Sequence, residues 1–358
     1  QFQPYLPFVI PPLLKSAQID PELHVTDADF DEDEDEQEEG MESVTVQIRG
    51  QGHKRITIRT SALEEKATAC SMLRTYAQEL KEAFLPYVQD VAKVLVPLIR
   101  FQYMDDVRAG AMSAMPELLN CAIEAANKNI PGASIQLVTE LKQFMFEPIL
   151  EQLKSEPDTE TLATLLDSWN ECIAHGGECQ AVRFDAAQLQ ASVTVCQLML
   201  SESVERREER NKAGEQDDID EEEADQMAEE VEREEILVQN IVESIGALFK
   251  VYNSSVLPLF DQLLLPAFQA MLQPTAISTD RVAALCVFDD IIEHCSADGA
   301  SERYVGVLLP AFFTYATDEL VEVRQAAVYG LGVLAEHSRA AAFDEANQQQ
   351  AAMKLLQV

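Results

Sequence analysis

Along most of the chain apolar residues recur every three or four positions, the spacing that lays one continuous stripe along a helix. In "DDVRAGAMSAMPELLNCAIE" (105–124) the stripe is Val107, Ala111, Ala114, Leu118 and Ala122. The same pattern, an acid followed by a basic residue and then Ala at a stripe position, returns in "EEKATACSMLRTYA" (64–77), "TDRVAALCVFDDII" (279–292) and "VEVRQAAVYGLGVL" (321–334). Weaker copies are "TLATLLDSWNECI" (161–173) and "ILVQNIVESIGAL" (236–248). Between them lies a second type of helix, marked by Leu-Pro and bulky apolar residues: "PYLPFVIPPLL" (4–14), "AFLPYVQDVAKVLVPLI" (83–99), "VLPLFDQLLLPAFQAML" (256–272) and "YVGVLLPAFFTYA" (304–316). Segments 135–153 and 186–204 fill the remaining slots, and 343–358 starts the last. Pro suits a first helical turn, so Pro97 and Pro266, which come later, are expected to bend their helices.

Lys66 and Arg108 stand about 42 residues apart, and Arg281 and Arg324 about 43, within the HEAT/armadillo period of roughly 40–47. The predicted fold is all-α, a right-handed α-solenoid of HEAT repeats with about six to seven helix pairs, since no pair alone buries its apolar face. The array is expected to fill 1–358 as a piece of something longer, because the chain opens in what reads as mid-repeat. Two acidic insertions interrupt it. The first, 17–60 within the first repeat, has an acidic half unable to order itself. Its second half alternates apolar and polar residues around "GQG", which suggests a hairpin. The second, 206–235, reads as a charged loop between a frayed helix end and a helix start. Lys66, Asp106, Arg108, Arg281 and Arg324 are expected to form a structural ladder, a turn Asp meeting the following repeat's Arg.

The chain has 358 residues, 26 Lys+Arg and 63 Asp+Glu, a net charge of -37. That excess repels nucleic acid and anionic membrane and favours basic partners. Seven cysteines, without a CxxC, lie mostly inside helical stripes and read as reduced core thiols. No apolar run reaches the roughly 18 residues of a membrane span. Phosphate-binding, dinucleotide, GxSxG and HExxH motifs are absent, so neither enzyme nor cofactor is expected. "EHC" (293–295) puts adjacent residues on different helix faces, which argues against a metal site. The glycines of "AHGGEC" (174–179) read as a helix C-cap, and Trp169 as core.

Opposite the apolar stripe of 105–124 lie Ser113, Glu117, Asn120 and Glu124. The same register gives Ser71, Thr75, Gln78 and Glu82 one repeat earlier, then Asp167 and Glu171, Glu243, Asp290 and Glu293, and finally Glu336. These carboxylates and amides are candidate cargo-binding residues on a concave face, where an extended peptide could offer one Lys to each step. The competing reading is an ordinary solvated helix face.

"TSALEEKATACSMLRTYAQELKEAF" (60–84), "CVFDDIIEHCS" (286–296) and "EVRQAAVYGLGVLAEH" (322–337) resemble the importin beta (karyopherin beta) family. The resemblance implies a nuclear transport receptor shuttling between cytoplasm and nucleus. Such receptors bind nuclear localisation signals on the concave face and FG nucleoporins on the convex face, and release cargo when Ran-GTP binds. It also implies basic cargo such as ribosomal proteins, histones or Lys-rich signals, with Ran-GTP held mainly by repeats absent from this chain. FG contacts are expected in grooves between Leu-Pro helices near Phe84, Phe260 and Phe312. The alternative is a structural HEAT scaffold for a multiprotein complex, which needs no acidic row.

Overall fold

The computed structural model describes residues 2–20, 24–27, 41–48, 52–214, 221–297, 299–338 and 344–355. Two compact units emerge, Gln1–Gln152 and Leu153–Val358. In the first, α1 (Leu6–Ala17) is followed by strands β1 (His24–Asp27), β2 (Met41–Ile48) and β3 (Gly52–Arg59). Then come α2 (Thr60–Leu80), α3 (Leu85–Leu98), α4 (Asp105–Asn127) and α5 (Ile135–Ser155), which runs to the boundary. The second unit holds α6 (Thr159–Glu178), α7 (Ala186–Gly214), α8 (Glu221–Tyr252), α9 (Leu257–Leu263) and α10 (Leu265–Met271). It continues with α11 (Ser278–His294), α12 (Glu302–Tyr315), α13 (Val321–His337) and α14 (Glu345–Leu355). None of the described helices is long and apolar enough to cross a membrane.

Each unit is two-layered, as the alternation of helix types requires. The acid-Val-Arg helices pack on one another, α2 on α4 in the first unit and α6 on α8 on α11 on α13 in the second. Leu-Pro helices line the other side, α1 and α3 against α2 and α4, and α7, α9–α10 and α12 against α8, α11 and α13. The predicted stripe Val107, Ala111, Ala114, Leu118 and Ala122 is fully buried. Small residues let the layer close up: a Cβ added to Gly110 of α4 would lie 3.2 Å from Cys70 Cβ of α2. Six of the seven cysteines are buried, and burial pushes the thiols of Cys70, Cys121 and Cys196 up to about 12. They are inert packing atoms, not nucleophiles. Trp169 is buried, stacked on Phe184 at 5.2 Å. Pro266 splits its helix at Leu264, separating α9 from α10, whereas Pro97 falls in the last turn of α3 and helps end it.

Several expectations need correction. The insertion between the paired helices α1 and α2 forms the expected hairpin, β2 with β3 in antiparallel register from Met41↔Arg59 to Ile48↔Gly52. The strand β1 adds to it unannounced, pairing antiparallel with β3 from His24↔Thr57 to Asp27↔Lys54 and giving the order β1-β3-β2. The acidic run 28–40 lies outside the described residues. In the second insertion 206–214 and 221–235 are helix, not loop. The reason is an ionic clasp: Arg206 bonds Glu234 with two nitrogens at 2.9 Å each, and Arg210 adds a contact at 3.6 Å. Burial raises the pKa of Glu234, but bonds from Arg206 and Ser203 and the charge of Arg210 outweigh it and hold the carboxyl low. "AHGG" is not a C-cap either; Gly176 and Gly177 lie inside α6, where a Cβ on Gly176 would stand 3.2 Å from Val251 of α8.

The ladder is built differently from the expected one. Arg281 in α11 reaches forward, 2.7 Å to Asp318 in the turn before α13, so the Arg belongs to the earlier repeat. Asp318 is short and committed to its own helix start, accepting from the Leu320 N–H at 3.0 Å, so the long guanidinium crosses the gap. Arg324 donates to the Asp318 and Glu319 carbonyls at 2.7 and 3.1 Å, Arg108 to the Phe101 carbonyl at 3.1 Å, and Lys66 to the Ala17 carbonyl at 2.5 Å. These basic residues fasten turns to helices. Asp106, expected in the ladder, is exposed on the first turn of α4.

The Arg281–Asp318 pair is mostly buried, so Arg281→Ala strands a carboxylate and is expected to cost about 3 kcal/mol. Asp106→Ala, at an exposed first-turn position, should cost less than about 1 kcal/mol. Chemical denaturation of both variants checks the contrast, and equal midpoints would contradict it.

Candidate functional site

In the first unit the predicted polar stripe runs along α2 and α4. Ser71, Thr75 and Gln78 are exposed, whereas Glu82, Ser113, Glu117, Asn120 and Glu124 are half-buried. The register fixes which way a side chain points, and the neighbouring helices decide how much water reaches it. Two hydroxyls turn back onto their own helices, Thr75 to the Ser71 carbonyl at 2.9 Å and Ser113 to the Ala109 carbonyl at 2.7 Å. Glu82 and Glu124 are bridged by the chain's own Lys128, at 2.9 and 3.1 Å. The Lys128 hydrogen bond holds the Glu82 carboxyl below its ordinary value, and the bonds to Glu82 and Glu124 raise Lys128. A lysine ammonium thus already occupies the kind of place in which the sequence anticipates a partner's.

In the second unit Asp167 and Glu171 of α6, Glu243 of α8 and Glu336 of α13 are exposed. Gln239 donates to Glu243 at 3.0 Å. A polar seam joins α6 to α8 beside them: Asn240 donates to the Ala163 carbonyl at 2.9 Å, and Ser244 to Asn170 Oδ1 at 2.5 Å. Asp290 and Glu293 of α11 depart from the expectation of open carboxylates, since both are half-buried. Asp290 is lodged against α8, with Oδ2 2.3 Å from where a Cβ on Gly246 would sit. Burial first, then the neighbouring Glu293, raises its pKa to about 7. Glu293 accepts from Tyr329 Oη of α13 at 3.1 Å. Lys128, Tyr329 and Gly246 carried no signal in the acid-and-amide pattern, which recorded only stripe positions.

Among the cavities that lie off the stripe, two bear on function. One, about 540 Å³, opens where α6 begins and the clasped ends of α7 and α8 meet, lined by Arg206, Arg210, Arg233, Glu230 and Glu234 with Met227. Its charges are mixed and largely paired with each other. The other, about 180 Å³, lies between α3 and α5 on Ala92, Leu137, Leu141 and Phe144. Phe84, Phe260 and Phe312 do not line grooves; all three are fully buried because their rings fill the space between the layers. Among the described residues no cluster of His, Cys, Asp and Glu could hold a metal ion.

These helices, stacked in like pairs, define a HEAT-type α-helical repeat protein, and the HEAT repeat family matches residues 308–338. The importin repeat 6 family matches residues 161–274, so the resemblance to the importin beta family read from the sequence holds. The chain is 28% identical to importin subunit beta-3 of Saccharomyces cerevisiae over 94% of its own length and 29% of that protein's. It is 24% identical to a probable importin-5 homolog of Dictyostelium discoideum, over 77% of this chain and 25% of that one. Kap121p bound to Nup53p shares the fold over 100% of this chain and 31% of its own, with TM-score 0.77 and 23% identity. Kap121p bound to RanGTP matches with TM-score 0.73 and 25% identity, over 94% of this chain and 29% of its own. The chain therefore spans less than a third of the length of these relatives.

Lys128→Ala should move the Glu82 carboxyl up toward its ordinary range, because the bond that holds it down is lost. Carboxyl NMR titration of wild type and variant reads the shift. An unmoved Glu82 would mean that the bridge does not persist in solution.

Proposed function

We propose that the chain is part of a nuclear transport receptor that binds basic, Lys-rich localisation signals on the exposed acidic stripe of its acid-Val-Arg helices. The observation that carries this reading is the recurrence of exposed carboxylates on one stripe, Asp167 and Glu171, Glu243, and Glu336, in a chain of net charge -37. Within the first unit Ser71, Gln78, Glu117 and Asn120 lie on the corresponding stripe of α2 and α4, with Glu82 and Glu124 engaged by Lys128. Similarity to importin beta-3, and to Kap121p in complexes with Nup53p and with RanGTP, supports a receptor that travels between cytoplasm and nucleus. Ribosomal proteins and histones are the class of basic cargo that such a surface suits. The fold alone would serve a structural scaffold equally well; the acid row favours the receptor. For FG nucleoporin segments the α3–α5 groove replaces the buried Phe84, Phe260 and Phe312, because an aromatic ring can enter between Leu137, Leu141 and Phe144.

One exposed carboxylate paired with Lys contributes about 0–1 kcal/mol, whereas micromolar affinity needs about 8 kcal/mol. Several pairs must act together, with backbone bonds from amides and partial loss of water. Binding of a Lys-rich peptide should therefore weaken steeply with salt. The double variant Glu171→Lys/Glu243→Lys should lose more than either single variant. Fluorescence anisotropy at two salt concentrations measures this, and unchanged affinity in the double variant would remove the acidic-stripe reading while leaving the scaffold standing.

A further inference from the structure

Adjacent carboxyls of α11 are seated on bare backbone of the two helices that flank it. Asp290 sits on Gly246 of α8, as described above. Asp289 sits on Gly330 of α13, its Oδ1 2.4 Å from where a Cβ on that glycine would stand. Any larger residue at either glycine would collide with a carboxyl. Asp289 is 3% exposed, and its Oδ1 has no hydrogen-bond partner. A buried carboxylate without a partner is strongly disfavoured in its charged form.

The surroundings offer little to offset a charge. From α8, Glu243 and Lys250 act on this region, and Lys250 is the cation felt by Asp290. On α11 and at its end, Cys286, Glu293, His294 and Cys295 surround the pair. From α13, Tyr329 bonds Glu293 and His337 faces His294. The segment α10 carries no ionisable side chain, and Arg303 of α12, near Cys295, is engaged 2.7 Å from Asp261. Burial, followed by neighbouring carboxylates, raises Asp289 well above its ordinary range and Asp290 to about 7.

We propose that the α8–α11–α13 junction is a proton-linked joint, closed over Gly246 and Gly330 when its aspartates are protonated and loosened when Asp290 loses its proton. A neutral carboxyl needs no counter-charge and fits the narrow gap that each glycine leaves. An ionised Asp290 faces Glu293 and needs more water than its half-buried seat admits, which favours movement of α11 away from α8. The inference does not depend on the binding of basic partners.

The sign of the linkage follows from the direction of the shift. The folded value lies above the ordinary 3.8 of an Asp, so the joint is most stable below that range. The contribution of Asp290 declines as pH rises toward about 7. The test is amide hydrogen exchange on the full 358-residue chain across this range, corrected for intrinsic exchange. Protection of α11 and the facing part of α8 should fall by up to about tenfold per pH unit below neutrality, while α4 stays constant. Asp290→Asn should remove the part of the pH dependence that Asp290 contributes, flattening the profile toward neutrality and leaving only what Asp289 adds. Glu293→Gln, which preserves the acceptor for Tyr329, should move the midpoint downward, and it provides the test if Asp290→Asn fails to fold. A flat wild-type profile, an unaltered profile in Asp290→Asn, or an unmoved midpoint in Glu293→Gln overturns the proposal.

Discussion

The close approach of like helices within one layer is the constraint on which the rest of this protein depends. A HEAT-type pair cannot bury its apolar stripe alone, so each acid-Val-Arg helix must lie against the next. Ala at the stripe positions and glycines at 110, 176, 246 and 330 bring the backbones together where a longer side chain would hold them apart. Once the helices are that close, the turns between them have little freedom. Lys66, Arg108 and Arg324 then reach turn carbonyls that would otherwise be left without donors. The small, polarizable cysteines fit the same seams, which is why six of the seven are buried and none is a candidate nucleophile.

How much of this the sequence discloses depends on whether a feature is periodic. The core of α4 was legible because Val107, Ala111, Ala114, Leu118 and Ala122 repeat at helical spacing, and burial obeys that spacing. The ladder was legible only in part. Spacing put Arg281 and Arg324 at equivalent helix positions, but Arg281 pairs with Asp318 of the next repeat, while Arg324 bonds carbonyls of its own turn. The direction of the Arg281–Asp318 pair depends on which side chain is long enough to cross between repeats. Non-periodic features were lost. β1 joins β3 across an acidic run, a long-range pairing without a local signature. The helical ends around 206–235 look like loop by composition because their charges compensate one another only after Arg206 meets Glu234.

The candidate site shows the same division. Register assigned Asp167, Glu171, Glu243, Asp290, Glu293 and Glu336 to one stripe, and equivalent angle was read as equivalent exposure. Depth depends on the neighbour instead. Where α8 presents Gly246, the Asp290 side chain sinks between the helices; the carboxylates of Glu243 and Glu336 stay in water. Lys128 adds a second distinction, since its bridge between Glu82 and Glu124 spends locally two charges that the pattern counted as available.

One stripe therefore carries two kinds of acid with opposite physical roles. Exposed carboxylates act on charged groups at long range and are screened by salt. Carboxyls seated on glycine lose that freedom: their charge is opposed by burial and by one another, and salt reaches them poorly. Glu293, which is half-buried, acts on both Asp289 and Asp290, so a change of charge at Glu293 changes the field felt by the buried pair. A cation near Glu293 would favour the ionised form of Asp290 and so work against the close packing of α11 on α8. In a stack held together by close approach, charge on the surface and spacing in the core are thus linked through a single half-buried glutamate.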